Sequence, residues 1–146
     1  MWDVSGKDNT ARTATAEAVL KAKRETLRAI REGSVPKGDP LPVAKVAAIQ
    51  AAKNTPSIIP YCHPLPLTHV GVHFDLGMES ITITVTTKTA YKTGVEMEAL
   101  TAAAAAALTL YDMLKQIDMG MTIESIRLIE KTGGKSDFRQ SENASK

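Results

Sequence analysis

Little in this sequence could hold a fold together except its own hydrophobic core. A single cysteine, Cys62, excludes an internal disulfide and suits a reducing compartment. The charges nearly cancel, 18 basic residues against 16 acidic for a formal net of +2, so any anion site must be local rather than a product of overall charge. Aromatic residues make up only 4% of the chain. That is too few for a sheet that stacks nucleic-acid bases, and Phe74 alternates with the buried set, so an RNA-binding domain ranks last among the possible classes. No segment has the basic, apolar and small-residue order of a signal peptide. The longest apolar run, Leu100 to Leu114, is too short to span a bilayer before Asp112 interrupts it, so a soluble, cytoplasmic protein is expected.

What is present suits one domain, residues 1–136, followed by a polar tail at 137–146 expected to be flexible. Met1 to Ser5 reads as a short strand. Ala14 to Glu32 reads as a helix, with Val19, Leu20, Leu27 and Ile30 at helical spacing and Gly33 as its stop. Two prolines and a glycine between Ser34 and Pro40 fix a turn, and a second helix follows from about Pro42 to Lys53. Asn54 to Thr68 carries four prolines, too dense for a helix or a central strand, and reads as an ordered loop.

The alternation of Val70, Val72, Phe74 and Leu76, and of Ile81, Ile83 and Val85 after a Gly77–Ser80 turn, predicts a hairpin with one buried face. The long stretch Thr93 to Asp118 predicts a third helix, opened near Gly94 by a Thr93/Glu96 capping box. A last strand is expected from Thr122 to Lys131. Together these elements predict an α+β two-layer sandwich, with helices on an antiparallel sheet.

Helical periodicity gathers Leu100, Ala104, Ala107, Leu108, Tyr111 and Leu114 on one face of the long helix. Lys115 falls inside that arc and Asp112 at its edge. Two readings are open. A lysine forced out of water has a lowered pKa and suits proton transfer near neutrality; alternatively Asp112 and Lys115 form an ordinary surface pair at i,i+3. Glu96 and Glu98 lie about 200° apart round the helix, so they cannot share a proton; with Glu96 at the cap, Glu98 is the acid expected to face a ligand. Cys62 and His63 lack zinc-ligand spacing, and His69 and His73 lie roughly 13 Å apart along a strand, so no metal site is expected. Thr132-Gly133-Gly134-Lys135-Ser136 lacks the first glycine of a phosphate loop, yet its glycines and lysine can still present N–H groups and one charge to an anion.

Several stretches agree with one family in order along nearly the whole chain. Lys37-Gly38-Asp39, Ala51-Ala52-Lys53, Ile59-Pro60-Tyr61-Cys62-His63-Pro64-Leu65, Thr93-Gly94-Val95-Glu96-Met97-Glu98-Ala99-Leu100-Thr101, Tyr111-Asp112-Met113-Leu114-Lys115 and Gly133-Gly134-Lys135-Ser136 together resemble the cyclic pyranopterin monophosphate synthases, the molybdenum cofactor biosynthesis protein C family. The resemblance implies a ferredoxin-like fold in a homohexamer, a trimer of dimers with sites at subunit interfaces. It also implies conversion of 3′,8-cyclo-7,8-dihydroguanosine 5′-triphosphate to cyclic pyranopterin monophosphate with release of pyrophosphate, with no cofactor. Asp112 and Lys115 match the family's catalytic pair. Tyr61, Cys62, His63, Met97 and Glu98 match its substrate-binding segments, and Glu96, Lys37, Lys53, Arg12 and Lys131 match further polar positions. Trp2 departs from the pattern, which more often has a small aliphatic residue there. The rival class is a nucleotide-binding regulatory module, which would bind such an anion without converting it.

Overall fold

The computed structural model describes residues 1–141. The chain runs β1 (Thr10–Lys21), α1 (Arg24–Glu32), α2 (Pro40–Lys53), α3 (Thr55–Ile58), β2 (Leu67–Leu76), β3 (Ser80–Tyr91), α4 (Glu96–Leu114), β4 (Thr122–Thr132) and β5 (Phe138–Arg139). The strands form one antiparallel sheet in the order β2-β3-β1-β4-β5. α4 packs on β1, β3 and β4, and α2 packs on α4 and β2. This is the expected α+β ferredoxin-like sandwich with a short fifth strand added at one edge.

The centre of the sheet is where the sequence reading was wrong. Residues expected to begin a helix at Ala14 instead form β1, because Ala14, Ala16, Ala18 and Leu20 are buried while Thr15, Glu17 and Val19 point to the other face. That is a period of two, and alanine's preference for helix yields to a position between two long strands. The small side chains also let α4 approach closely, since it lays its own Ala99, Ala102, Ala103, Ala106 and Ala107 in the core.

The helix proper starts only at Arg24, and a distant residue sets that start. The buried carboxylate of Asp118 accepts the Lys23 backbone N–H and the Thr26 hydroxyl, both at 2.9 Å. It thereby satisfies the backbone N–H at the N-cap of α1 and a buried side-chain hydroxyl in its first turn. Gly33 ends α1 in the left-handed region, as expected.

Other expectations are corrected in detail. Met1 to Ser5 is not a strand: the Ser5 N–H and hydroxyl both bond Asp3 Oδ1, closing a local turn that keeps the segment off the sheet. α2 begins at Pro40, capped by Asp39 accepting the Leu41 N–H at 3.1 Å. A four-residue helix, α3, interrupts the proline-rich loop, with Pro56 in its first turn. α4 starts at Glu96 without the capping box, because Glu96 pairs with Lys131 instead.

The buried face of α4 is set by its alanines with Leu110 and Leu114, not by the arc through Leu108, which is exposed. By length and composition alone α4 could cross a membrane, but half of that stretch is buried in this domain. The hairpin of β2 and β3 and the strand β4 match expectation. The expected tail at 137–146 is in part structured, since Phe138 and Arg139 pair with Lys131 and Glu130; residues 142–146 lie outside the described residues.

Candidate active site

The residues expected in the site, Lys53 apart, fall into two groups at opposite ends of α4. At its C-terminal end Lys115 Nζ lies 3.0 Å from Asp112 Oδ1. Lys37, from the turn before α2, approaches the same carboxylate at 3.8 Å and donates to the Asp112 carbonyl oxygen at 2.9 Å. The hydrogen bond and charge of Lys115, then the charge of Lys37, hold the Asp112 carboxyl below its ordinary range. Asp112 therefore stays an anion between two ammonium groups. Lys115 is not enclosed by apolar side chains within one chain: its side chain is 46% exposed. The expectation of a desolvated amine fails for the single chain because the arc that was to surround it faces outward.

At the other end of α4 is a hollow of about 270 Å³. Tyr61, Cys62, His63, Glu96 and Met97 line it, joined by Trp2, Val4, Lys7, Thr93 and Gly94. The connection from β3 into α4, the loop after α3 and the N-terminal segment meet here. His63 Nε2–H donates to the Trp2 carbonyl oxygen at 2.7 Å, which ties that segment across the loop. Lys131 reaches in from β4 to Glu96 Oε1 at 3.4 Å.

A second hollow, of about 360 Å³, shares Lys7 with the first and adds Arg12, Lys135, Gly134 and Asp8. Arg12 is oriented by the carbonyl oxygens of Tyr91 at 3.2 Å and Lys92 at 3.4 Å. Gly133 and Gly134 make room beside it. A Cβ on Gly133 would meet the Ala11 carbonyl oxygen, and one on Gly134 would lie 2.8 Å from Arg12 Nη1. Both glycines also have positive φ, at 78° and 130°, where other residues are strained. The Gly-Gly-Lys stretch thus has a physical reason in this fold, a close turn over a guanidinium.

Glu98 does not face the ligand-sized space, contrary to expectation. It is buried, 1% exposed, behind the loop. The Cys62 thiol donates to its Oε1 at 3.5 Å, and Oε2 has no hydrogen-bond partner among the described residues. Burial raises the Glu98 carboxyl above its ordinary range. Burial, then the charges of Glu98 and Glu96, pushes the Cys62 thiol up to about 11. The geometry makes Cys62 a hydrogen-bond donor to Glu98, and the raised thiol disfavours the reactive thiolate.

Lys53 joins neither group; it ends α2 and borders a separate hollow with Val46, Ile49, Gln50 and Asn54. A wider hollow of about 610 Å³ beside α1 contains none of the expected residues.

Lys135 was read from sequence, with its glycines, as able to present a charge to an anion, whereas Lys7 and Trp2 were not singled out as ligand contacts. Those two had no signal, because only the path of the N-terminal segment brings them to the hollows.

The two groups cannot meet in one chain. At roughly 1.5 Å per residue, Glu96 and Asp112 are separated by about 24 Å along the axis of α4. One end carries the Asp112–Lys115 ion pair with Lys37, and the other carries ring-sized space beside cations.

Residues 1–134 match the MoaC family. The chain is 54% identical over 136 residues to a protein of Peptoclostridium acidaminophilum named cyclic pyranopterin monophosphate synthase, an alignment covering 93% of this chain and 87% of that relative. A protein of the same name from Brevibacillus brevis is 56% identical over 144 residues, covering 97% of this chain and 90% of its own length. Another, from Corynebacterium glutamicum, is 50% identical over 136 residues, covering 93% and 87%. Agreement at this level across nearly every element described above leaves one assignment: the chain belongs to the MoaC family.

Proposed function

We propose that the chain is a cyclic pyranopterin monophosphate synthase, a lyase of molybdenum cofactor biosynthesis. On this reading it rearranges 3′,8-cyclo-7,8-dihydroguanosine 5′-triphosphate to cyclic pyranopterin monophosphate and releases pyrophosphate. It acts in the cytoplasm as a homohexamer, a trimer of dimers. The observation that carries the reading is the division of its polar groups. An acid/base pair at one end of α4 and a cation-lined hollow at the other form a complete site only when one subunit presents its Asp112 and Lys115 to the hollow of its neighbour.

In that composite site Lys115 is the proton donor and acceptor while the purine ring opens and the pyran ring closes. Covering by the neighbouring subunit removes the water that bathes its amine in the single chain. Asp112, held ionised, orients Lys115 and stabilises positive charge as it develops. Tyr61, Cys62, His63 and Met97 contact the ring end of the substrate. Glu98 supports them from behind through the Cys62 thiol. Arg12, Lys131, Lys37 and Lys53, drawn from two subunits, neutralise the triphosphate.

Pyrophosphate leaves as a sugar hydroxyl oxygen attacks the innermost phosphorus. That displacement is intramolecular and gains from orientation and from cations on the leaving charge. Glu96 holds Lys131 in place for that task.

The test is incubation of the purified protein with the cyclic intermediate, followed by mass spectrometry of the product and a pyrophosphate assay. Conversion by the wild-type protein, with Lys115→Ala and Asp112→Ala folded and assembled but inactive, is the expected result. Binding of the intermediate without conversion would select the regulatory-module reading instead. Wild-type rates in both variants would remove the catalytic assignment.

A further inference from the structure

Trp2 is the only tryptophan in the chain, and it stands 87% exposed with its backbone anchored rather than loose. Its carbonyl oxygen accepts the His63 Nε2–H at 2.7 Å. Two residues on, the Lys7 N–H bonds the Val4 carbonyl oxygen at 3.0 Å, and Lys92 Nζ donates to the Ser5 carbonyl oxygen at 3.3 Å. In the single chain a large indole stands in water on a pinned segment, and exposing so much apolar surface is unfavourable unless something occupies it.

Trp2 lines the 270 Å³ hollow, close to the lower end of the range for small-molecule sites of about 300 Å³. Tyr61, 78% exposed, and Met97 line the same wall. Lys7 bridges this apolar end to the cationic hollow that holds Arg12 and Lys135. An occupant matching both is a planar nitrogen-containing ring joined to a phosphate chain.

We propose that Trp2 is a ring-binding residue, whose indole stacks on the bicyclic base of the ligand while Lys7, Arg12 and Lys135 face its phosphates. The proposal rests on the synthase reading for the identity of the natural ligand, but the stacking itself requires only a purine or pterin ring. The side chain belongs to the substrate-binding part of the site and takes no part in proton transfer. Its effect therefore falls on affinity and not on the chemical step.

The experiment uses the full chain in its native assembly. Trp2 emission, excited at the red edge to exclude tyrosine, is titrated with guanosine triphosphate, with the cyclic intermediate and with inorganic tripolyphosphate. Saturable quenching by the two ring-bearing ligands and none by tripolyphosphate is expected. In steady-state assays Trp2→Ala should raise KM roughly tenfold with kcat within about twofold, as loss of one stacked base implies. Trp2→Phe should restore most of the affinity.

Unchanged emission at saturating intermediate, or a wild-type KM in Trp2→Ala, would overturn the proposal. Quenching equal for tripolyphosphate would do so too, because it reports phosphate binding alone. Pyrophosphate release by the wild-type protein in the same samples separates this outcome from failure of the synthase reading. Release without quenching rejects only the stacking role, and quenching without release rejects only the reaction.

Discussion

Replacing Glu98 by glutamine should stabilise the protein above neutral pH, although it removes a residue matched to the family's substrate-binding segment. The carboxyl is 1% exposed, its Oε1 accepts the Cys62 thiol, and its Oε2 has no partner among the described residues. An effectively buried carboxylate ion costs several kcal/mol. Glutamine keeps an oxygen for Cys62 and puts an unpaired neutral amide where Oε2 lay, which costs about 1–3 kcal/mol. The difference is a gain of about 1–2 kcal/mol for Glu98→Gln at pH 8, taking the middle of both ranges.

The sign follows from the raised carboxyl. The folded state holds that proton more tightly than the unfolded chain, so the stability Glu98 contributes is complete below the unfolded value of about 4.3. It is lost as pH rises through the folded value. The advantage of glutamine should therefore disappear near pH 4. Urea unfolding of both proteins at pH 4 and pH 8, at one fixed protein concentration because any self-association would contribute to stability, measures the difference. A variant destabilised equally at both pH values would mean that the carboxyl is solvated or paired, and the account of Glu98 would fail.

Cys62 offers a linked test. With its thiol pushed up to about 11, only about one molecule in a thousand is thiolate at pH 8, so iodoacetamide should react roughly a hundredfold more slowly than with a free cysteine. Glu98→Gln should speed that reaction, since the Glu98 charge is one of the causes; a rate typical of free cysteine in the native wild type would contradict the geometry. Asp118→Ala should cost about 2–4 kcal/mol in urea, because the Lys23 N–H and the Thr26 hydroxyl both lose a buried acceptor. Asp118→Asn should recover part of it, and a loss below about 0.5 kcal/mol would show that water replaces the cap.

The elements whose burial is written in their own residues were legible beforehand. The β2–β3 hairpin alternates bulky apolar residues with polar ones, and Gly33 can end α1 because no side chain opposes its left-handed conformation. Where alanine stands for the core, the sequence is silent about direction. Ala14, Ala16 and Ala18 belong as readily to a helix pattern as to a central strand, and only the two neighbouring strands decide. In α4 the same ambiguity turned the apolar arc by about one residue, so that Leu108 was placed inside and Ala103 outside.

Long-range contacts were illegible for the same reason. Asp118 capping α1, Glu96 turning to Lys131 and the N-terminal segment reaching His63 all join residues far apart in the chain. The pairing of Asp112 with Lys115 was readable from their spacing, whereas the distance from that pair to Tyr61 and Met97 required the length of α4 to be known.

A site shared between subunits is the claim on which the rest depends, and subunit mixing tests it directly. Chains carrying Lys115→Ala lack one half of the site, and chains carrying both Arg12→Ala and His63→Ala lack the other. Each inactive protein is assayed alone and after the two are co-expressed in equal amounts. If every site takes its proton-transfer pair from one subunit and its ring and phosphate contacts from another, random pairing restores about a quarter of the sites, and pyrophosphate release returns to about that fraction of the wild-type rate. If the mixture stays as inactive as its components while forming mixed assemblies, the two halves do not meet between subunits and the account is wrong.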